Sequence, residues 1–260
     1  MKTVREGKLG KLILRAVEKD GRYIGIVLGA ANPTERIEGD TLDDVWRRLH
    51  DEAGKGDANY FGFDGARARF RTHFPDGFHS PGYDAHERTY KLAAKAKLDA
   101  TAPLGTAASG SGLGEAVLRV FQATNLLSPF EKTRLQGVLR GDGADPFIRA
   151  AAKFALGGGG AALADMEAVL KPHEANKWTV VTYLPFLWRP DAHMFLKPEV
   201  TKDFAARVGH PFASQYEAPL RMSVYDSLLD LVAKTEAELA LLKPRDRIDV
   251  QSFIWVVGAY

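Results

Sequence analysis

The sequence predicts an α+β fold, with an N-terminal β-hairpin-containing part packed on a larger all-helical part. Three observations carry this. Runs rich in β-branched and aromatic residues flank Asp-Gly pairs only in the first third of the chain. A stretch of small residues, TAPLGTAASGSGLG at 101–114, then interrupts the pattern as a linker would. Beyond it the apolar residues recur at helical spacing. The expected division is residues 1–104, mixed α/β with antiparallel strands, and residues 112–260, helical.

Taken in order, KLILRAVEK and RYIGIVLG flank Asp20-Gly21 and read as a hairpin, and Asn32-Pro33 breaks the pattern. Thr41 caps a short helix, TLDDVWRRLHDEA, with Asp44 at the capping-box position. Residues 54–59 read as a loop. YFGFDGARARFRTHF reads as a second hairpin turning at Asp64-Gly65, and PDGFHSPGYD as a long loop into the helix AHERTYKLAAKAKLDA. After the linker come GEAVLRVFQATNLL, a helix opened by the capping box Ser128-Pro129-Phe130-Glu131, and FIRAAAKFAL closed at Gly157–Gly160. ALADMEAVLKP, NKWTVVTYLPFLW, EVTKDFAARVG and SVYDSLLDLVAKTEAELALL follow as helices. RIDVQSFIWVV fits strand or helix, and Asp249 near its start favours helix.

The totals bound the function. The 260 residues are 45% apolar and 26% charged, a globular composition. Net charge is +2, so a nucleic-acid site must be a local patch. With no cysteine, disulfides, thiolate catalysis and cysteine-ligated metal are excluded. No apolar stretch is long enough for a bilayer and Met1–Lys11 lacks a signal's apolar core, so a cytoplasmic protein with no membrane partner is expected. There is no Gly-x-Ser-x-Gly elbow, no P-loop and no glycine-rich dinucleotide turn. His73, His79, Asp84 and His86 match no closed metal motif and read as surface groups, so neither metal nor cofactor is expected.

Read as a strand, Ala66–Phe74 puts Arg67, Arg69, Arg71 and His73 on one face, a stripe whose guanidinium forks match phosphate oxygens. Arg88, Lys91 and Lys95 share a helical face soon after. The same charges also fit a solvated outer face.

The stretch 164–209, ADMEAVLKPHEANKWTVVTYLPFLWRPDAHMFLKPEVTKDFAARVG, reads helix, short connection, helix, polar turn, extended run, helix. Over these residues it resembles the helix-hairpin-helix DNA glycosylases of the alkyladenine-type branch. Trp178-Thr179 and Tyr183 match the opening of the second helix. Phe195-Leu196-Lys197-Pro198 matches the run that delivers the catalytic carboxylate, and Glu199 stands in its place. The hairpin His173-Glu174-Ala175-Asn176 departs from the family in lacking glycine, and Glu199 in being Glu rather than Asp. Trp178 occupies the place of the Schiff-base lysine of bifunctional members, with Lys177 adjacent.

The resemblance implies a helix-hairpin-helix-like helical part, DNA as partner and monofunctional removal of a damaged or modified base, including the modified bases of phage DNA. Glu199 would stabilise the charge developing on the sugar or activate water. Trp178, Tyr183, Phe186, Trp188 and Phe195 would wall the pocket for a flipped base, and Lys177, Lys197 and Lys202 would join the arginines on phosphates. Two other readings fit the residues: a nucleic-acid-binding module or partner subunit without chemistry, and a helical interaction protein that docks through FIWVVGAY.

Overall fold

The computed structural model describes residues 2–9, 12–29, 36–54 and 60–260. The expected break at Asn32-Pro33 and the expected loop from residue 55 to 59 lie outside them. The fold is α+β, with a small antiparallel sheet and a larger helical part. Two compact units are present. The first comprises Met1–Gly77, Val200–Gln215 and Ile254–Tyr260, the second Phe78–Glu199 and Tyr216–Phe253. The small-residue segment expected as a linker lies within the second unit, where Leu104–Ala107 forms a helical turn and Ala107 is buried.

In the first unit β1 (Lys2–Leu9), β2 (Leu12–Lys19), β3 (Arg22–Leu28) and β4 (Ile37–Gly39) pair in chain order, all antiparallel. Asp20 and Gly21 both take positive φ (53° and 76°), the turn that matches strand twist and that an Asp-Gly pair adopts at low cost. Helix α1 (Leu42–Gly54) opens with the Asp44 amide donating to Thr41 Oγ1 (3.3 Å). Its Val45, Trp46, Leu49 and Ala53 pack on Leu14, Ala16, Val27 and Ile37 of one sheet face. The helix lies so close that a Cβ on Gly25 would come within 2.9 Å of Leu49 and Val45 side-chain carbons. Glycine is required there by space.

The expected second hairpin is a helix, α2 (Gly62–His73). The alternating arginines read as strand, but Phe63, Ala66 and Phe70, all buried, recur at three and four residues, with buried Phe74 four further on. Burying that stripe outweighs the alternation of exposed charges. Gly62 makes the entry: it has φ +66°, and a Cβ would overlap Asp51, whose carboxylate accepts the Phe63 amide.

The second unit is helical. It holds α3 (Thr89–Thr101), α4 (Gly114–Gln122), α5 (Pro129–Leu139), α6 (Ala144–Ala155), α7 (Gly159–Leu170), α8 (Trp178–Trp188) and α10 (Met222–Glu238). Helices α9 (Pro198–Arg207) and α11 (Arg247–Ala259) each contribute residues to both units. Ser128 caps α5 with the full reciprocal box, stabilising that end by about 1 kcal/mol. Every residue of α8 is buried, as a helix that is apolar all round must be. The loop expected at 75–84 instead winds through short helical turns into a π-helical turn, Asp84–Arg88, that runs into α3.

Candidate nucleic-acid interface

The segment joining α7 to α8 is a tight hairpin. Lys171–His173 forms a 3-10 turn, and Glu174 follows in the left-handed region (φ 52°, ψ 26°). The Glu174 amide donates to the Lys171 carbonyl (3.0 Å) and the Ala175 amide to Leu170 (3.1 Å), the crossed pair that closes a helix C-terminus. Glycine is the usual occupant of that left-handed position. Here a glutamate holds it, gripped by Arg134 of α5, whose guanidinium donates to the Glu174 carbonyl (3.2 Å) and pairs with its carboxylate (2.9 Å).

Helix α8 then opens at Lys177, in extended conformation and with no side-chain cap. No side chain caps its first turn, although the Val180 amide already donates to the Lys177 carbonyl (2.9 Å); uncapped amides at a helix start are where an anion binds favourably. Lys171, His173 and Lys177 are exposed, and among the described residues none has a side-chain hydrogen bond or ion pair. The start of α8 is fixed from below. Thr179 donates to Glu131, the residue that also completes the Ser128 cap, and Trp178 Nε1 donates to the Glu217 carbonyl (3.0 Å).

The extended run that follows α8 is pinned from α8 and α10. Tyr225 accepts the Met194 amide (3.2 Å) and lies 2.9 Å from His193 Nδ1, and Thr182 accepts the Leu196 amide (3.0 Å). Glu199 stands in the first turn of α9 and is exposed, with Lys197 half-buried before it.

Of the five aromatic residues expected around a flipped base, Tyr183, Phe186 and Phe195 meet, Trp178 and Trp188 stand at opposite ends of α8, and all five are interior. Trp178, Tyr183, Phe186, Trp188 and Phe195 are each at most 4% exposed. Tyr183 stacks on Phe121 (4.2 Å between centroids), donates to the Val120 carbonyl (2.9 Å) and lies 2.8 Å from the Thr124 hydroxyl. Trp188 Nε1 donates to the Ala102 carbonyl (2.9 Å), and Phe195 packs on Tyr183 and Phe186. Trp178 lies parallel to Tyr225, and the polar atoms of Trp178, Tyr183 and Trp188 are satisfied within the protein, so these rings serve as core.

The arginine stripe is not a stripe. On helix α2 Arg67 and Arg71 are four residues apart and share a face, while Arg69, two from each, points elsewhere. Arg69 donates to the Val257 (2.9 Å) and Tyr260 (2.7 Å) carbonyls, and Arg67 pairs with Asp64. Arg71 is exposed, and Lys202 lies half-buried on α9. The helical face expected of Arg88, Lys91 and Lys95 is largely interior: Arg88 is 7% and Lys91 0% exposed.

Arg88 and Lys91 belong to a buried charge network that the sequence did not show. Asp249 of α11 accepts from Tyr83 (2.6 Å), Arg88 (2.8 Å) and the Arg245 amide (2.8 Å) and side chain (3.0 Å). Arg88 forks onto Asp246 at 2.7 and 2.8 Å. Lys91 donates to Glu87 (3.2 Å) and Ser252 (2.8 Å). Burial raises the Asp249 carboxyl, yet its bonds from Arg245 and Tyr83 and the nearby Arg88 hold it below the usual carboxylate value. Burial pushes the Lys91 ammonium down to about 8 against the pull of Glu87. These groups are saturated by one another, which reads as a structural post joining the π turn to α11.

Two clefts open in the same unit. One, of about 480 Å³, is lined by Pro190, Asp191, Glu236, Lys243, Arg245 and Arg247, and the other, of about 470 Å³, by Gly112, Glu115, Arg140, Asp142 and Asp145. No aromatic side chain lines either, and their charges are largely paired, as Arg140 is with Glu115 (2.6 Å) and Arg247 with Glu236 (3.4 Å).

Fold and site together define an α+β protein with a larger helical part that presents an exposed basic hairpin between two helices. Comparison with protein-family models, with curated proteins and with solved structures returned no match.

Proposed function

We propose that the chain binds DNA through the hairpin between α7 and α8, and that it excises a modified or damaged base as a monofunctional glycosylase with Glu199 as the carboxylate. The hairpin is the observation that carries the reading. Three unengaged basic or imidazole side chains, Lys171, His173 and Lys177, lie on the segment that leads into a helix start without a side-chain cap. Lysines supply the point charges and helix amides the directed donors that a phosphate takes. The chemical half of the proposal draws on the exposed carboxylate of Glu199 in the first turn of α9, reached by an extended run fixed at both Met194 and Leu196. A carboxylate so held is a candidate to stabilise the sugar cation or activate water.

One observation favours a second reading, a DNA-binding module or partner subunit without chemistry. Flipping a base into an enzyme needs an aromatic or apolar slot, and the five rings near Glu199 in sequence are sealed in the core. Abasic-site formation separates the two. Wild type and Glu199→Gln are incubated with DNAs carrying alkylated, oxidised and hypermodified bases, and binding is measured in parallel. Release by wild type, lost in the variant with binding retained, is the expected result. Binding without release from any substrate leaves the module; release undiminished in Glu199→Gln removes Glu199 from its role.

A further inference from the structure

Phe130 is 82% exposed, the second residue of α5 and far outside what folding requires of a phenylalanine. Its surroundings give it a place. Phe130, Arg134 and Gly137 follow at i, i+4 and i+7 and so share one face of α5. Arg134 on that face grips Glu174 of the hairpin, and a Cβ on Gly137 would lie only 3.7 Å from the His173 ring. Next to Phe130, Glu131 binds Thr179 in the first turn of α8. The face that carries Phe130 therefore runs alongside the hairpin and its exposed Lys171, His173 and Lys177.

Resting on the DNA-binding reading above, we propose that Phe130 is a base-stacking residue. The hairpin side chains hold the phosphates of a strand while the Phe130 ring takes the face of an unpaired base, which makes DNA with an unpaired or displaced base the preferred ligand. The chemistry is complementary. A polyanion meets unengaged lysines, and an aromatic ring with open faces accepts any base without hydrogen-bond readout. A protein partner would need an apolar surface, whereas the neighbours of Phe130 on this face are charged or small. Because the ring packs on little of the protein, it can be changed without cost to the fold.

The test is fluorescence anisotropy with two labelled probes: an intact duplex, and the same duplex carrying one unpaired base. Wild type binds the second more tightly by at least about fivefold, the lower end of what stacking one base on an aromatic ring contributes. Phe130→Ala equalises the two probes with duplex binding intact, and Phe130→Trp keeps the preference. Lys171→Glu with Lys177→Glu weakens both probes and leaves their ratio. Equal wild-type affinities, or a preference that survives Phe130→Ala, overturn the stacking role alone. Failure to bind either probe overturns the hairpin as a DNA site and the stacking role with it.

Discussion

Arg134 holds Glu174 twice, through its carboxylate (2.9 Å) and its carbonyl (3.2 Å), and so braces the one left-handed residue of the α7–α8 hairpin against α5. A side chain in that conformation costs roughly 1 kcal/mol, and an exposed ion pair returns at most about that. Glu174→Gly is therefore expected to stabilise the protein by about 0.5 kcal/mol in urea titration and to tighten the proposed DNA binding by removing a carboxylate from between the lysines. A loss of stability above about 1 kcal/mol would show that the brace, not the strain, dominates.

The network around Asp249 predicts a large effect from one atom group. Asp249→Ala strips Arg88, 7% exposed, and Tyr83, 0% exposed, of a shared acceptor. Leaving a buried cation without part of its partner set costs about 3–5 kcal/mol, to be read as the drop in unfolding free energy. A drop below about 1 kcal/mol would mean that Asp246 alone satisfies Arg88.

Lys91 gives an alkaline signature. Its folded value lies at about 8, below that of an unfolded lysine, because burial disfavours the charge. Between those values the unfolded chain binds the extra proton, so stability rises as pH climbs from about 8 towards 10. Above that, Tyr83, Tyr183 and Tyr225, all raised by burial, turn the trend downward. Urea titrations across this range should show the rise in wild type and its absence in the double variant Lys91→Met, Glu87→Gln.

His50 sets an acid limb. Its Nδ1 hydrogen bonds the Trp46 carbonyl (2.9 Å) and burial holds the ring's value down to about 4. The unfolded chain takes up the proton near 6.5, so stability is lost as pH falls from there to about 4. The loss is on the order of 3 kcal/mol and should shrink in His50→Gln. An unchanged acid limb in that variant would assign it to other groups, His193 among them, which burial also lowers.

What could be read from the chain divides by range. The Asp20-Gly21 hairpin, the Ser128 capping box and the helical choice for 247–257 rest on neighbours in sequence, and each stands in the structure. Strand β1 has no signal of its own: KTVREGKL is half charged and becomes a strand through pairing with β2. Helix α2 was hidden because its arginines alternate while its phenylalanines keep helical time. In the site, the hairpin was legible from its helix–turn–helix rhythm. Phe130 was not, because exposure is a tertiary property, and neither was Tyr83 against Asp249, which are 166 positions apart.

The proposed DNA site is the α7–α8 hairpin, and the salt dependence of duplex affinity for wild type and for Lys171→Glu with Lys177→Glu tests it. Each phosphate neutralised contributes about 0.9 to the slope of log affinity against log salt. Loss of both contacts should lower that slope by about 1.8 and weaken binding at least tenfold in dilute salt. The same affinity and the same slope in the variant would place DNA binding elsewhere on the protein, or nowhere.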